Sequence, residues 1–418
     1  MSRLIFHIDA NSAYLSWEAA YRLQRGEQLD LRTVASVVGG DEESRHGIVL
    51  TKSIPAKKFD IHTGETLYSA RAKCPGIVIV PPRYSLYMKC SDAMHQIFLE
   101  YTPNIQRFSV DESFLDFSNM QHLYPDYLKL AQIIKERIKN ELGFTVNIGI
   151  SCNKLLAKVA SDFTKPDRVH TLFPGDIKQK MWQLPVEDLF MVGRATAPKL
   201  HNLNINTIGE LANYNLDILK NKLKSHGQVI WNYANGIEFS EVRKSNYIKM
   251  KGIGNSTTIA FDVEDKDTAH KVILSLCETV SMRLRDSCNC CTVISISIRG
   301  SDLIFYSRQK KLVVATDSTR KIYEIACYLF DNVWKGNPIR HLGVHITDFC
   351  SNEFYQCSLL DSFDYEKDKR INDTVDKIRL KYGSKAVVRS CFLHSGLNSM
   401  CGGMADGEED YPLMSAML

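Results

Sequence analysis

The stretch Arg107-Phe108-Ser109-Val110-Asp111-Glu112-Ser113-Phe114-Leu115-Asp116-Phe117 constrains this chain more than any other. Apolar residues recur at Phe108, Val110 and Phe114, and again at Leu115 and Phe117. That pattern predicts one or two β-strands carrying an acidic pair at or near a turn. Ionised carboxylates are almost never buried without a partner, so a pair embedded in apolar strands needs compensation. A solvated surface hairpin would supply it through water. A divalent metal site would supply it through coordination, since hard cations take clustered carboxylates.

The chain opens Leu4-Ile5-Phe6-His7-Ile8-Asp9, a short apolar run ending in an acid. An acid at the end of a buried strand sits at a sheet edge, where ligands bind in open α/β sheets. Two such strands would bring Asp9, Asp111 and Glu112 around one point. Two metal ions held there would suit in-line phosphoryl displacement. One geometric condition applies. Neighbours on a regular strand face opposite sides, so Asp111 and Glu112 share a site only if the backbone turns between or beside them.

With 418 residues the chain predicts two to four domains, and 44% hydrophobic residues argue against global disorder. No apolar run reaches the length of a membrane span, and the first residues lack a secretory pattern. The twelve cysteines follow no framework spacing, so reduced thiols in a cytoplasmic protein are expected. Cys288-Asn289-Cys290-Cys291 lacks a fourth ligand and the spacing of a zinc site. Net charge is only +4, and between Tyr247 and Cys350 there are 14 Lys+Arg against 11 Asp+Glu. Within that segment Arg308, Lys310 and Lys311 form a basic run, read either as a solvated face or as a phosphate contact.

Helices are predicted from Asn11 or Ser12 onward, over Tyr84 to Tyr101, over Leu128 to Leu142 and over Lys154 to Phe163. Strands are predicted at Val34 to Val38, Gly47 to Thr51 and Phe144 to Ile150. Alternation of these elements around the acids makes a small α/β unit. Further on, strands around Val293 to Ile298 and Leu303 to Phe305 are separated by helices over Ala269 to Arg285 and Thr319 to Lys335. Ile371, Val375, Ile378 and Tyr382 form a helical apolar stripe expected to pack back on the body.

Several of these segments carry a resemblance. Asp9-Ala10-Asn11-Ser12-Ala13-Tyr14, then Ser109 to Asp116, then Gly149-Ile150-Ser151-Cys152-Asn153-Lys154-Leu155-Leu156-Ala157-Lys158 and Ala160 to Pro166 are similar to the Y-family translesion DNA polymerases. Order and spacing hold over roughly the first 350 residues. The resemblance implies an α+β right-hand polymerase. Its parts would be an α/β palm (residues 1–12 and 83–172), small fingers (13–82) and a helical thumb with a helix-hairpin-helix (173–237). A linker (238–247), a β/α little finger (248–350) and a tail (351–418) would follow.

It further implies template-directed, low-fidelity synthesis past damaged bases, tied to DNA repair and the SOS response. Two Mg²⁺, with Mn²⁺ a substitute, would be held by Asp9, Asp111, Glu112 and the Ala10 carbonyl. Tyr14 would be a steric gate against ribonucleotides. Thr51, Lys57 and Lys165 would bind the triphosphate, and Ile48 and Gly64 would roof the replicating base. Many members carry Arg at the place of Lys57 and Tyr at that of Ile54. Lysine offers a point charge rather than a fork, and Ile54 donates no hydrogen bond. In the helix-hairpin-helix, from Met191-Val192-Gly193-Arg194 to Leu211-Ala212, Met191 stands where the first glycine is usual. Gly193 and Lys199 would touch DNA there, and Arg308, Lys310 and Lys311 would do so from the little finger.

Gln356, Ser358, Leu359, Leu360 and Phe363 resemble a sliding-clamp-binding peptide, an extended segment anchoring in an apolar groove. The expected partners are therefore primer-template DNA, dNTPs and a clamp, for a monomer without membrane contact. Three rivals are weighed. A catalytically weak DNA- and clamp-binding subunit would bind DNA without extending it. A cyclase-like nucleotidyl transferase, suggested by Gly39-Gly40-Asp41-Glu42, would turn over free NTPs. A two-metal nuclease would shorten the primer.

Overall fold

The computed structural model describes residues 3–43, 45–120, 122–243, 250–353 and 365–401. Contacts divide the chain into two units. The first holds residues up to 243 apart from 40–48, and the second holds 40–48 and the described residues from 250 onward.

In the first unit, β1 (Ile5–Ala10) is buried along its whole length. Next come α1 (Ala13–Gln24), β2 (Ser36–Gly39), β3 (Val49–Lys52), α2 (Ile54–Lys57), α3 (Leu67–Lys73) and β4 (Val78–Val80). These strands form a small sheet in the order β3-β2-β4. Then come α4 (Tyr84–Leu99), β5 (Ile105–Arg107), β6 (Glu112–Asp116), α5 (Tyr127–Leu142), β7 (Val146–Ser151), α6 (Lys154–Asp162) and β8 (Val169–Thr171). The central sheet has the order β5-β6-β1-β7-β8. Alternation along β1 sends Phe6 and Ile8 into a core with Met94, Ile97, Phe98, Leu130, Ile134 and Ile138 of α4 and α5. Its other face carries His7 and Asp9 towards α6, where Ser161 bonds the His7 ring (2.8 Å).

The first unit continues with α7 (Ala197–His201), α8 (Ile208–Asn213), α9 (Leu216–Leu223) and α10 (Ser225–Ala234), packed around Leu155, Leu156, Leu200, Ile208 and Ile230. A capping box opens α8, with the Glu210 amide on the Thr207 hydroxyl (3.1 Å) and the Thr207 amide on the Glu210 carboxylate (3.0 Å). Residues 238–243, within the expected linker, are held by hydrogen bonds. The Lys154 amide donates to the Glu238 carboxylate (3.2 Å), the Lys154 ammonium to the Glu241 carbonyl (3.0 Å), and Arg3 to the Ser240 carbonyl (2.8 Å). A buried lysine needs such acceptors, and it finds them in this strap.

The second unit contains β9 (Gly252–Val263), α11 (Lys266–Asp286), β10 (Asn289–Gly300), β11 (Phe305–Thr316), α12 (Thr319–Asp331), β12 (Ile339–Ser351) and α13 (Tyr365–Tyr382). Its antiparallel sheet runs β11-β10-β12-β9. One face packs Ile294, Ile296, Ile298, Leu342 and Val344 against α11 and α12, and the other is open. Leu303, expected in a strand, instead lies in the exposed turn with φ +66°.

The segment after Cys350 also departs from expectation. Helix α13 folds onto this unit, but through polar residues rather than its apolar stripe. Asp376 takes Arg285 (2.6 and 3.0 Å), Arg379 donates to the buried Glu278 (2.6 Å), and Asp368 accepts from Ser318 (2.6 Å). Ile371 and Tyr382 face solvent. The buried Glu278 on α11 explains the choice, because only a cation satisfies it and α13 supplies one. The clamp-type residues Gln356, Ser358, Leu359, Leu360 and Phe363, and the tail from Gly402, lie outside the described residues.

Gly149 on β7 is where α6 approaches the sheet most closely, and a Cβ there would overlap the Ala157 carbonyl and the Ser161 amide. Gly149→Ala is expected to lower stability by about 3 kcal/mol, an overpacking cost. Chemical denaturation of the purified variant measures it, and an unchanged midpoint would disprove the close approach.

Candidate active site

Strand pairing builds the site. Asp9 stands directly opposite Glu112 in the antiparallel β1–β6 ladder and opposite Asn147 on the other side. Asp111 lies in the turn between β5 and β6. The Phe108 and Ser109 amides both donate to the Glu112 carbonyl (2.9 and 3.2 Å), closing that turn. The Ala10 amide donates to the Asp111 carbonyl (3.0 Å), tying the turn to the end of β1. The geometric condition on adjacent acids is met in this way: Glu112 begins the strand, and Asp111 belongs to the turn.

Ser109 shapes the turn. Its hydroxyl donates to the Asp111 carboxylate (2.6 Å) and accepts from the Glu112 and Asp111 amides (3.0 and 3.3 Å). This is a serine turn in which side chain replaces backbone as acceptor.

Two lysines face the acids. Lys165 is ion-paired with Asp9 and also with Asp162 (2.8 Å). Lys158 on α6 donates to Glu112 (2.6 Å). Burial pushes the Asp9 carboxyl up to about 6, with Glu112 and Asp111 adding repulsion and Lys165 opposing the rise. Burial also raises Glu112, against the pull of Lys158. Beneath them His7 is fully buried. Burial first, then Lys158 and Lys165, hold it neutral. Ser161 donates to the Lys158 carbonyl (2.7 Å), so its oxygen accepts from His7 Nδ1. The His7 Nε2 atom then stands 3.9 Å from Glu112.

The three acids were expected to surround one point. Among the described residues, no group of three or more His, Cys, Asp or Glu side chains is arranged to hold a metal ion as it stands. The physical reason is visible, since Asp9 and Glu112 are each turned onto an ammonium. The donor set nonetheless suits a hard divalent cation. It offers carboxylate oxygens at adjoining backbone positions, with two lysines offsetting three acids.

Tyr14 is the second residue of α1, immediately beyond the strand end, and is half-buried. Its ring stacks on Tyr87 of α4 at 4.4 Å and 11°. Neither Asn11 nor Ser12 caps this helix through its side chain. Ser12 is the N-cap residue at φ +48°, and Asn11 donates to Thr145 instead (3.1 Å). Thr51 lies on β3, and Lys57 ends α2, exposed. Ser53 caps α2 by accepting from the Ala56 amide (3.1 Å), leaving Ile54 exposed at its start. Gly64 adopts φ +88° and donates to the Val49 carbonyl (2.8 Å). Ile48, also exposed, precedes β3.

In the thumb turn, Met191 adopts φ +75°, so the left-handed conformation usual for glycine is retained without glycine. Gly193 and Lys199 are exposed beside it. The basic run of the second unit splits. Arg308 and Lys310 pair with the buried Ile296 and Ile294, which puts them on the helix-covered side, with Lys310 over the Tyr328 ring at 4.5 Å. Lys311 falls on the open face and pairs with Asp348 (2.9 Å). A depression over β10, β11 and β12 is lined by Ser295, Ile296, Ser297, Ser307, Arg308, Gln309 and His345. The strand period of two causes the split.

Lys158, Ser109 and Tyr87 were not assigned roles by sequence reasoning. Lys158 had a readable signal, a second lysine one helical turn after Lys154 on a short helix following the acidic strands.

Comparisons with known proteins agree with this architecture. The impB/mucB/samB family matches residues 8–162, its C-terminal domain residues 250–359, and the IMS family HHH motif residues 174–205. The chain is 49% identical over 393 residues to DNA polymerase IV of Clostridium acetobutylicum, covering 94% of this chain and 99% of that one. It is 35% identical over 398 residues to DNA polymerase IV 2 of Bacillus subtilis, covering 94% and 95%. A solved Y-family DNA polymerase chimera shares the fold, with TM-score 0.71 at 21% identity, covering 84% of this chain and 100% of that one.

Lys165 is the charge that lowers the Asp9 carboxyl, so removing it should raise that group further. In Lys165→Met, carboxyl NMR titration without metal should place the Asp9 midpoint above about 6. A midpoint at or below the wild-type value would refute the pairing.

Proposed function

The chain belongs to the impB/mucB/samB family of Y-family DNA polymerases, and from that premise we propose how its DNA-directed DNA polymerase activity is carried out. Asp9, Asp111 and Glu112, with the Ala10 carbonyl, would hold two Mg²⁺, for which Mn²⁺ would substitute. The observation that carries this reading is the pairing of Asp9 with Glu112 across adjacent strands, with Asp111 in the adjoining turn. Bound metal would lower the pKa of the primer 3′-hydroxyl and neutralise charge on the triphosphate.

The chain's own residues do the rest. Lys165 and Lys158 balance the acids through ion pairs with Asp9 and Glu112, and with the acids holding metal their ammonium groups would be free to meet phosphate oxygens. Ser109 holds the Asp111 carboxylate in one orientation, so that it need not be ordered on substrate arrival. His7, neutral and locked by Ser161, underlies Glu112 without adding positive charge. Thr51 and Lys57 would bind the triphosphate from the fingers, and Ile48 and Gly64 would roof the base pair. Because Lys57 is a point charge and Ile54 apolar, phosphate binding leans more on Lys165 here than in Arg- and Tyr-bearing members.

Tyr14 would exclude ribonucleotides by overlap with a 2′-hydroxyl. Gly193 and Lys199 would meet duplex phosphates, the first through backbone. From the second unit Arg308, Lys310 and Lys311 would meet DNA, with Ser295 and Gln309 near Lys311 on the open sheet face. Residues Gln356 to Phe363 would dock on a sliding clamp. Translesion synthesis is the family's province, and an uncrowded nucleotide roof at Gly64 supports tolerance of damaged template.

Two outcomes check the assignments. Asp111→Ala should cut primer extension by roughly three orders of magnitude, the several kcal/mol that metal contributes, while gel-shift affinity for primer-template stays near wild type. Extension that survives the substitution, or that continues without divalent metal, would remove the acid assignment. Tyr14→Ala should raise ribonucleotide insertion at least roughly tenfold relative to deoxyribonucleotide, since a steric barrier is deleted. An unaltered sugar ratio would strip Tyr14 of its role.

A further inference from the structure

Helices α1 and α4 meet through two rungs one turn apart. Tyr14 faces Tyr87 in the first, with ring centroids at 4.4 Å. Glu18 faces Arg83 in the second, with the guanidinium on both carboxylate oxygens (3.0 and 2.6 Å). Four residues forward on α1 is four residues back from Tyr87, to Arg83 at the N-cap of α4, so the helices run antiparallel and the rungs share one register. Glu18 is completely buried, and Arg22 adds a third contact to its carboxylate (2.7 Å). Arg83 also lies over the Tyr21 ring at 4.1 Å.

Tyr87 is fixed on several sides. It is 1% exposed and packs against Trp17 at 6.0 Å and Tyr84 at 6.1 Å. Tyr84 in turn meets the edge of Tyr14 at 6.2 Å. Tyr14 therefore has a rigid aromatic wall behind it. A group that selects by overlap works only if it cannot retreat, and its discrimination falls when its support yields by a fraction of an ångström. A bidentate pair resists sliding along the helix axis better than apolar contact does, because the fork fits one register.

We propose that Tyr87, and the Glu18–Arg83 pair behind it, are positioning residues for sugar selection at Tyr14. The inference rests on the gate reading of Tyr14 and assigns what holds the gate in place. A merely structural role would lower stability or overall activity. A positioning role changes the ratio of ribonucleotide to deoxyribonucleotide insertion, which is independent of the fraction of enzyme that is folded.

The test measures kcat/KM for a ribonucleotide and its deoxy counterpart on one primer-template, using the full chain. Variants are Tyr14→Ala, Tyr87→Leu, Tyr87→Phe, Glu18→Gln, and Glu18→Gln combined with Tyr14→Ala. Tyr87→Leu and Glu18→Gln should each raise the ribonucleotide ratio roughly tenfold, the scale of misplacing a selecting group by less than 1 Å. Tyr87→Phe, which keeps the ring, should restore the wild-type ratio. In the Tyr14→Ala background, Glu18→Gln should add nothing, because the gate it positions is gone. If Tyr14→Ala shifts the ratio but Tyr87→Leu and Glu18→Gln do not, the inference is overturned while the gate stands. If Glu18→Gln acts equally with and without Tyr14, the pair works elsewhere and the inference fails. If Tyr14→Ala itself changes nothing, the gate reading falls first.

Discussion

The antiparallel pairing of β1 with β6 is the interaction on which the site depends. It sets Asp9 against Glu112 in a region closed to solvent on one side by α6. Two carboxylates so close would repel in a buried setting, and the raised Asp9 carboxyl reports that repulsion beside the larger effect of burial. The fold answers with opposite charge from outside the sheet. Lys158 comes from α6, and Lys165 from the segment that follows it. Both arrive because α6 lies directly on β7, an approach that only the missing side chain at Gly149 permits. A sheet register, one glycine and two lysines thus form a single electrostatic arrangement.

The second unit solves its own charge problem differently. Glu278 on α11 is buried beneath α13 and is met by Arg379 and Arg389. The arginines come from the far end of the chain, so a carboxylate in the middle of one helix recruits a later one. Apolar patterning would have docked α13 the other way round. The desolvated acid outweighs it, because an unpaired buried charge costs more than a few exposed aliphatic groups.

Much of the site was readable from residues alone. Asp9 at the end of an apolar run and the acidic pair within apolar alternation both carry their own logic, and the strands and helices around them follow ordinary periodicity. The condition that the backbone must turn at Asp111 was also readable, and the turn is there. Other features were not. Ser109 acts through a hydroxyl whose partners exist only once the turn closes. Lys158 and Glu112 become neighbours only through the seat of α6. Tyr87 reads as one more aromatic until α1 and α4 are aligned. The run Arg308 to Lys311 reads as one basic patch, whereas a strand sends neighbouring residues to opposite faces, which a count of charges does not show.

The register of β1 carries a further consequence for how such a chain can drift over generations. Phe6 and Ile8 serve the core while His7 and Asp9 serve the cleft. Loss or gain of a single codon inside this strand would exchange the two sets at a stroke, driving His7 and Asp9 into the apolar core and turning Phe6 and Ile8 towards α6. The spacing within β1 is therefore as much a condition of the site as the acids themselves.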